Sequence, residues 1–152
     1  MKTSLISSTS HFLGALLVSV LLITSGCKKE DQNMTNMVMF NNITLTGAQE
    51  APNPVTTNAS GTFNGTYNRD TKILTYTITY SGINPTGMHF HKGAQGVAGP
   101  VVIPITVSAS PISAQTPALT AEQEADLLVG NWYVNVHSQP HPAGEIRGQL
   151  VR

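Results

Sequence analysis

The sequence predicts an all-β fold, an antiparallel Greek-key-like β-sandwich of about seven strands with one short helix. Three observations carry that expectation. Thr, Asn, Gly and Pro abound beside β-branched Val and Ile, the residues that favour turns and pleated strands. Residues 74–80, LTYTITY, alternate apolar and polar side chains with a period of two, as a half-buried strand does. Turn residues recur between short apolar runs, and helical periodicity is confined to a single segment.

Taken in order, the first strand begins at Val38, with Met39, Ile43 and Leu45 able to share one face. Residues 48–61, AQEAPNPVTTNASG, form a loop rich in Pro, Asn and Gly. Residues 62–82 read as a hairpin. Phe63 and Tyr67 lie on one arm, Leu74, Tyr76, Ile78 and Tyr80 alternate with Thr75, Thr77 and Thr79 on the other, and NRDTK turns between them. In the short strand 88–91, Met88 and Phe90 face one way, His89 and His91 the other. Strand 101–107, VVIPITV, contains Pro104, which lacks an N–H and belongs on an edge or a bulge. Residues 108–117 read as a loop. The one helix is TAEQEADLLVGN: Thr120 is its N-cap, Gln123 completes a capping box, Leu127 and Leu128 pack inward, and Gly130 ends it. Two strands close the domain. In WYVNVH, Trp132, Val134 and Val136 oppose Tyr133, Asn135 and His137; in GEIRGQLVR, Ile146, Gly148 and Leu150 oppose Glu145, Arg147 and Gln149.

A chain of 152 residues suits one compact domain. Charged residues make up only 11% and cancel, eight against eight, so a nucleic-acid partner, which requires a clustered basic face, is excluded. Residues 1–26 read as a lipoprotein signal peptide: Lys2 is followed by the apolar run FLGALLVSVLLI, too short for a membrane span of about twenty residues. The run leads into TSGC, which resembles the lipobox of bacterial lipoproteins. Thr24 stands at the position three before Cys27 where that motif has Leu. The resemblance implies cleavage before Cys27 and its lipidation, hence attachment to a bacterial membrane, expected to be the outer membrane, in an extracytoplasmic location. Two or more acyl chains anchor a protein stably, whereas one does not. Cys27 is the only cysteine, so the domain has no internal disulfide and must rest on its core. Residues 27–37 are a polar tether, whose extended reach is roughly 30 Å at about 3.3 Å per residue. Its KKED resembles the charged export signals of surface lipoproteins and reads equally as a solvated linker.

Residues 38–152 resemble the CHRD domain, named for its occurrence in chordin and common in bacterial exported proteins. The stretches that carry the resemblance are LTGAQEAP (45–52), ASG (59–61), HFHKGAQGVAGPVV (89–102) and YVNVHSQPHPAGEIRGQL (133–150), in family order. Ser138 stands where the family usually has Thr, and the family pattern fixes no histidine at His141. The resemblance implies a small extracellular β-domain without an established enzyme activity, and it supplies no ligand.

The chemistry-bearing residues are few. His89 and His91, at i and i+2 on a strand, project to one side about 6.7 Å apart along the backbone. With His137 from a neighbouring strand they could share one copper or zinc ion, at about 2.0–2.1 Å per bond. His141 could approach from the turn. Copper/zinc superoxide dismutase, a Greek-key sandwich, places an H-x-H pair on copper, but this chain lacks that family's disulfide cysteines and zinc loop. The structural alternative is that His89 and His91 hydrogen-bond a polar face shared with Asn135, His137, Glu145 and Arg147. Glu145 and Arg147, also i and i+2, would form a surface ion pair worth under about 1 kcal/mol, and Glu50 could join them. There is no nucleophile elbow, no H-E-x-x-H and no phosphate loop, so catalytic residues are not expected. Two functions follow. One is a lipid-anchored, non-catalytic binding or structural module without cofactor, for an unspecified protein or glycan partner. The other is a histidine-based copper or zinc protein.

Overall fold

The computed structural model describes residues 36–152. The expected signal peptide, Cys27 and the tether as far as residue 35 lie outside these described residues. Asn36 already belongs to the fold, since its Nδ2 donates to Asp70 Oδ1 at 2.9 Å and its carbonyl accepts from Arg69 N at 2.9 Å. The strands are β1 (Met37–Thr46), β2 (Ser60–Asn68), β3 (Ile73–Ser81), β4 (Pro85–Lys92), β5 (Val101–Pro104), β6 (Ile112–Gln115), β7 (Trp132–Ser138) and β8 (Ile146–Gln149). A short 3-10 turn, Gly47–Gln49, follows β1, and helix α1 (Ala121–Leu128) precedes β7.

All eight strands pair antiparallel in one sheet, in the order β5-β4-β7-β8-β1-β2-β3-β6. Among the described residues the all-β class with one short helix is therefore present, with a single curled sheet where two packed sheets were expected. The curl follows from chain lengths. β3 and β4 stand five places apart, which is about 24 Å in a flat sheet at about 4.8 Å per strand. Only residues 82–84 connect them, and that segment reaches at most about 14 Å. The edges β5 and β6 are likewise joined by residues 105–111 alone. The sheet closes on itself as half a barrel, and Phe90 of β4 meets Tyr76 of β3 edge to face at 5.0 Å and Phe63 of β2 at 5.9 Å. Around these rings pack Phe40, Leu45, Leu74, Ile78, Met88, Trp132, Val134, Val136, Ile146 and Leu150, all essentially inaccessible.

Two local expectations need correction. Met39 is 55% exposed, while Val38, Phe40, Ile43 and Leu45 are buried. The register slips between Phe40 and Ile43, and Asn42 takes a positive φ of 55° that few non-glycine residues tolerate as well. Asn64 Oδ1 accepts from Asn42 N at 2.8 Å and holds this bulge. The extra residue exchanges the two faces midway along β1. Residues 112–115, read as loop, form the edge strand β6 against Thr75–Ile78 of β3. Only Ile112 of those four is buried, so no alternating pattern marks the strand.

Elsewhere pattern and structure agree. The β2–β3 hairpin buries Phe63, Tyr67, Leu74, Tyr76 and Ile78, with Asn68 Oδ1 accepting from Asp70 N and Thr71 N in the turn. Pro104 sits on the edge strand β5. Thr120 and Gln123 form the reciprocal capping box of α1, Leu127 is buried, and Gly130 (φ 79°) follows the helix end.

Candidate functional site

β4, β7 and β8 lie side by side, with His89 opposite Asn135, Asn135 opposite Arg147, His91 opposite Tyr133 and Tyr133 opposite Gln149. Their apolar residues face the core, so alternation sends these polar ones to the other side of the sheet. That side is also covered. His91, Tyr133, Asn135, Arg147 and Gln149 are buried, and His89 and His137 are half-buried. The cover comes from residues 93–99, GAQGVAG, and from the loop after β1 that carries Glu50 and Thr57.

The three imidazoles converge. His89, His91 and His137 each offer a ring nitrogen within 4.8 Å of the other two. His89 Nδ1 and His137 Nε2 are 3.1 Å apart. His137 stands opposite Gly87 on β4, and the missing side chain there leaves space for both rings: a Cβ would lie 3.4 Å from His89 Cε1 and 3.8 Å from His137 Cδ2.

Hydrogen bonds assign the ring protons. A carbonyl only accepts, so His91 Nδ1–H donates to Gly99 O at 3.0 Å and His137 Nδ1–H donates to Pro142 O at 3.0 Å. Both Nε2 atoms then carry lone pairs. His89 donates from Nδ1 to His137 Nε2, while His91 Nε2 is buried with no partner among the described residues. Burial holds His89 and His91 below the usual histidine range, and the neighbouring imidazoles push the same way, with Arg147 adding to the effect on His91. His91 also stacks on Tyr133, ring centres 4.9 Å apart and 10° from parallel.

The residues expected as one polar cluster separate into three groups. Glu145 and Arg147 form no ion pair; among the described residues Arg147 has no carboxylate within salt-bridge distance. Arg147, 1% exposed, donates instead to Val97 O at 3.0 Å, Ala94 O at 2.9 Å and Gln149 Oε1 at 2.7 Å. Glu145 accepts from Thr57 Oγ1 at 2.6 Å and from the Ser138 hydroxyl. Burial alone would raise its pKa, but these two hydrogen bonds and the neighbouring His141 hold it below the usual carboxylate range. Asn135 Nδ2 donates to Glu50 Oε2 at 3.2 Å, leaving Glu50 Oε1 and Asn135 Oδ1 buried without partners among the described residues. Burial raises Glu50 to about 7, against the lowering effects of Asn135 and Arg147. Glu50, Arg147 and Gln149 line a cleft of about 280 Å³.

His141 is not one of the converging rings; it lies in the turn after β7, its backbone paired with Ser138. No sequence motif announces the roles of Tyr133, Gln149, Thr57 and the carbonyls of Gly99 and Pro142. The one signal for them is the glycine density of residues 93–99, where a Cβ on Gly99 would stand 1.6 Å from Lys92 O.

Chemically, the face presents two imidazole lone pairs with fixed tautomers beside a third ring, and a cationic guanidinium held over an aromatic face. The sequence profile of the CHRD domain matches residues 42–150. No curated protein and no solved structure matches the chain. No helix among the described residues is long and apolar enough to cross a membrane.

Proposed function

The chain belongs to the CHRD domain family, and from that premise we propose that it is a non-catalytic binding module of the extracytoplasmic space, lipid-anchored through Cys27. The supporting observation is the covered polar face of β4, β7 and β8. In a chain with 11% charged residues, a guanidinium, two carboxylates and three imidazoles are gathered there, fixed mainly by backbone carbonyls and hydroxyls. Ordering such groups before a ligand arrives lowers the entropy cost of binding. TSGC, ending in Cys27, supports the anchor, and a polar tether would then stand the domain off the bilayer.

Two experiments test this reading. Wild-type cells fed a radiolabelled fatty acid should label the protein in the membrane fraction, and the Cys27→Ser precursor should take up no label. A soluble wild-type protein without acyl mass rules out the anchor. Conversion of generic ester, peptide or glycoside substrates by purified protein would rule out the non-catalytic reading.

A metal-binding protein is the second reading, favoured by the convergence of His89, His91 and His137. Its direct check is metal content: protein purified without a histidine tag should carry copper or zinc in proportion to protein.

A further inference from the structure

We infer that His89 Nδ1, His91 Nε2 and His137 Nε2 form a three-nitrogen site for one copper(II) or zinc(II) ion, with the carbonyls of Gly99 and Pro142 orienting two of the rings. The inference rests on the metal-binding reading and deepens it by naming the donor atoms and the carbonyls that orient the rings.

The most telling observation is His91. The residue is 8% exposed, its Nδ1–H is committed to Gly99 O, and its Nε2 lone pair lies buried with no donor to accept from among the described residues. A buried acceptor without a partner is destabilising, and a cation at Nε2 would remove that cost. His137 is prepared in the same way by Pro142 O. Metal-bound histidines almost always donate their other ring N–H to a carbonyl or carboxylate. Here two of the three rings already do so, to carbonyls of two different loops.

Spacing agrees with this. Three nitrogens on one ion at about 2.0–2.1 Å stand about 3.3–3.5 Å from one another. His89 Nδ1 and His137 Nε2 are already 3.1 Å apart, and each of the three rings offers a nitrogen within 4.8 Å of the other two. The proton now shared between His89 and His137 occupies the place of the ion. For His89 to bind through Nδ1, that proton moves to its own Nε2 through solvent, which the half-buried ring admits. A neutral ring stays neutral and no net proton is released. All-imidazole donors suit copper and zinc, and the divalent series places Cu²⁺ above Zn²⁺. The fourth position is left for water or an exogenous ligand.

The test uses untagged, chelator-stripped, full-length protein titrated with Cu(II) or Zn(II) by calorimetry, with electron paramagnetic resonance of the copper form. One equivalent should bind, copper more tightly than zinc, with nitrogen hyperfine structure from imidazole. His91→Gln and His137→Asn should each lower affinity at least as much as loss of an outer-shell partner does, about 10–100-fold, while His141→Ala should leave it unchanged. Stoichiometric binding that survives both variants would overturn this site and leave the metal reading standing. Absence of stoichiometric binding would overturn both. Should the variants fail to fold, ring ¹⁵N spectra of the wild type decide: zinc must shift His91 Nε2 and His137 Nε2 and leave the His141 ring in place, and any other pattern overturns the site.

Discussion

The Arg147 guanidinium carbon lies 3.5 Å from the centre of the Tyr133 ring. β4 and β8 flank β7, so His91 and Arg147 approach that ring from its two sides. The cation–π contact stands in for the carboxylate that a buried arginine would ordinarily seek. Three of its N–H groups reach Ala94 O, Val97 O and Gln149 Oε1, and Gln149 Nε2 in turn donates to Gly93 O at 2.8 Å. Arg147 therefore clamps the same glycine-rich loop that presents Gly99 O to His91.

Arg147→Lys keeps the charge and loses the planar fork, so several of these bonds cannot be made together. Hydrogen bonds to charged groups contribute about 1.5–3 kcal/mol each. The variant should lose about 2–4 kcal/mol in urea unfolding, and amide protection in residues 93–99 should fall first. A variant within about 0.5 kcal/mol of wild type would show that the loop is held by other means.

Glu50 gives a pH signature. Its folded pKa of about 7 lies above the ordinary value of 4.5, so between those limits the folded state binds more protons than the unfolded one. Its contribution to stability is fully present below about pH 4.5 and is lost as pH rises through about 7. The ceiling is about 3.5 kcal/mol at about 1.4 kcal/mol per pKa unit. His89 and His91 act oppositely, because their depressed pKa values add stability above the usual histidine range that is lost on acidification. Comparison with Glu50→Gln isolates the carboxyl: the amide can both accept from Asn135 Nδ2 and donate to Asn135 Oδ1. Above pH 7 the variant should be the more stable protein, and below pH 5 the two should converge. Urea midpoints measured from pH 4.5 to 8.5 check this, and parallel curves would count against a buried, titrating Glu50.

Much of this fold was legible where a signal is local or strictly periodic. Thr75, Thr77 and Thr79 alternate with buried Leu74, Tyr76 and Ile78, and Thr120 and Gln123 lie close enough in sequence to announce their own cap. The convergence of His89 and His137 was legible as far as both residues alternate with core positions on short strands. What covers them was not. The burial of Arg147 depends on residues 93–99 folding over it from about fifty positions away, and a charged i, i+2 pair looks the same in sequence whether water or a loop lies above. The single-sheet closure was equally hidden, because it depends on which strands neighbour one another. The bulge in β1 defeated the parity argument, since one extra residue exchanges inside and outside.

That parity can be tested directly. Met39→Lys should change stability by less than about 0.5 kcal/mol, as befits a surface position. Phe40→Ala should cost about 3–5 kcal/mol, the range for emptying a fully buried phenylalanine. Thermal or urea melts of the two variants suffice, and the reverse ranking would place the bulge elsewhere.

Gly144 offers the closest test of the polar face. Its φ of 136° lies where side chains are strained, and a Cβ there would stand 2.5 Å from Asn135 Nδ2, 2.6 Å from Asn135 Oδ1 and 2.7 Å from Glu50 Oε2. Gly144→Ala must therefore pay backbone strain and also part the Asn135–Glu50 hydrogen bond. The strain alone is of the order of 1–3 kcal/mol, so a total loss of about 2–4 kcal/mol is expected. The two contributions separate in an Asn135→Ala background, where the amide that obstructs the new methyl is gone and the hydrogen bond is already absent. If the geometry is right, the alanine at 144 should cost at least about 0.5 kcal/mol less in that background, a coupling expected only of residues in contact. Strictly additive losses in urea unfolding would mean that the cost is backbone strain alone and that Gly144 does not seat the Glu50–Asn135 pair.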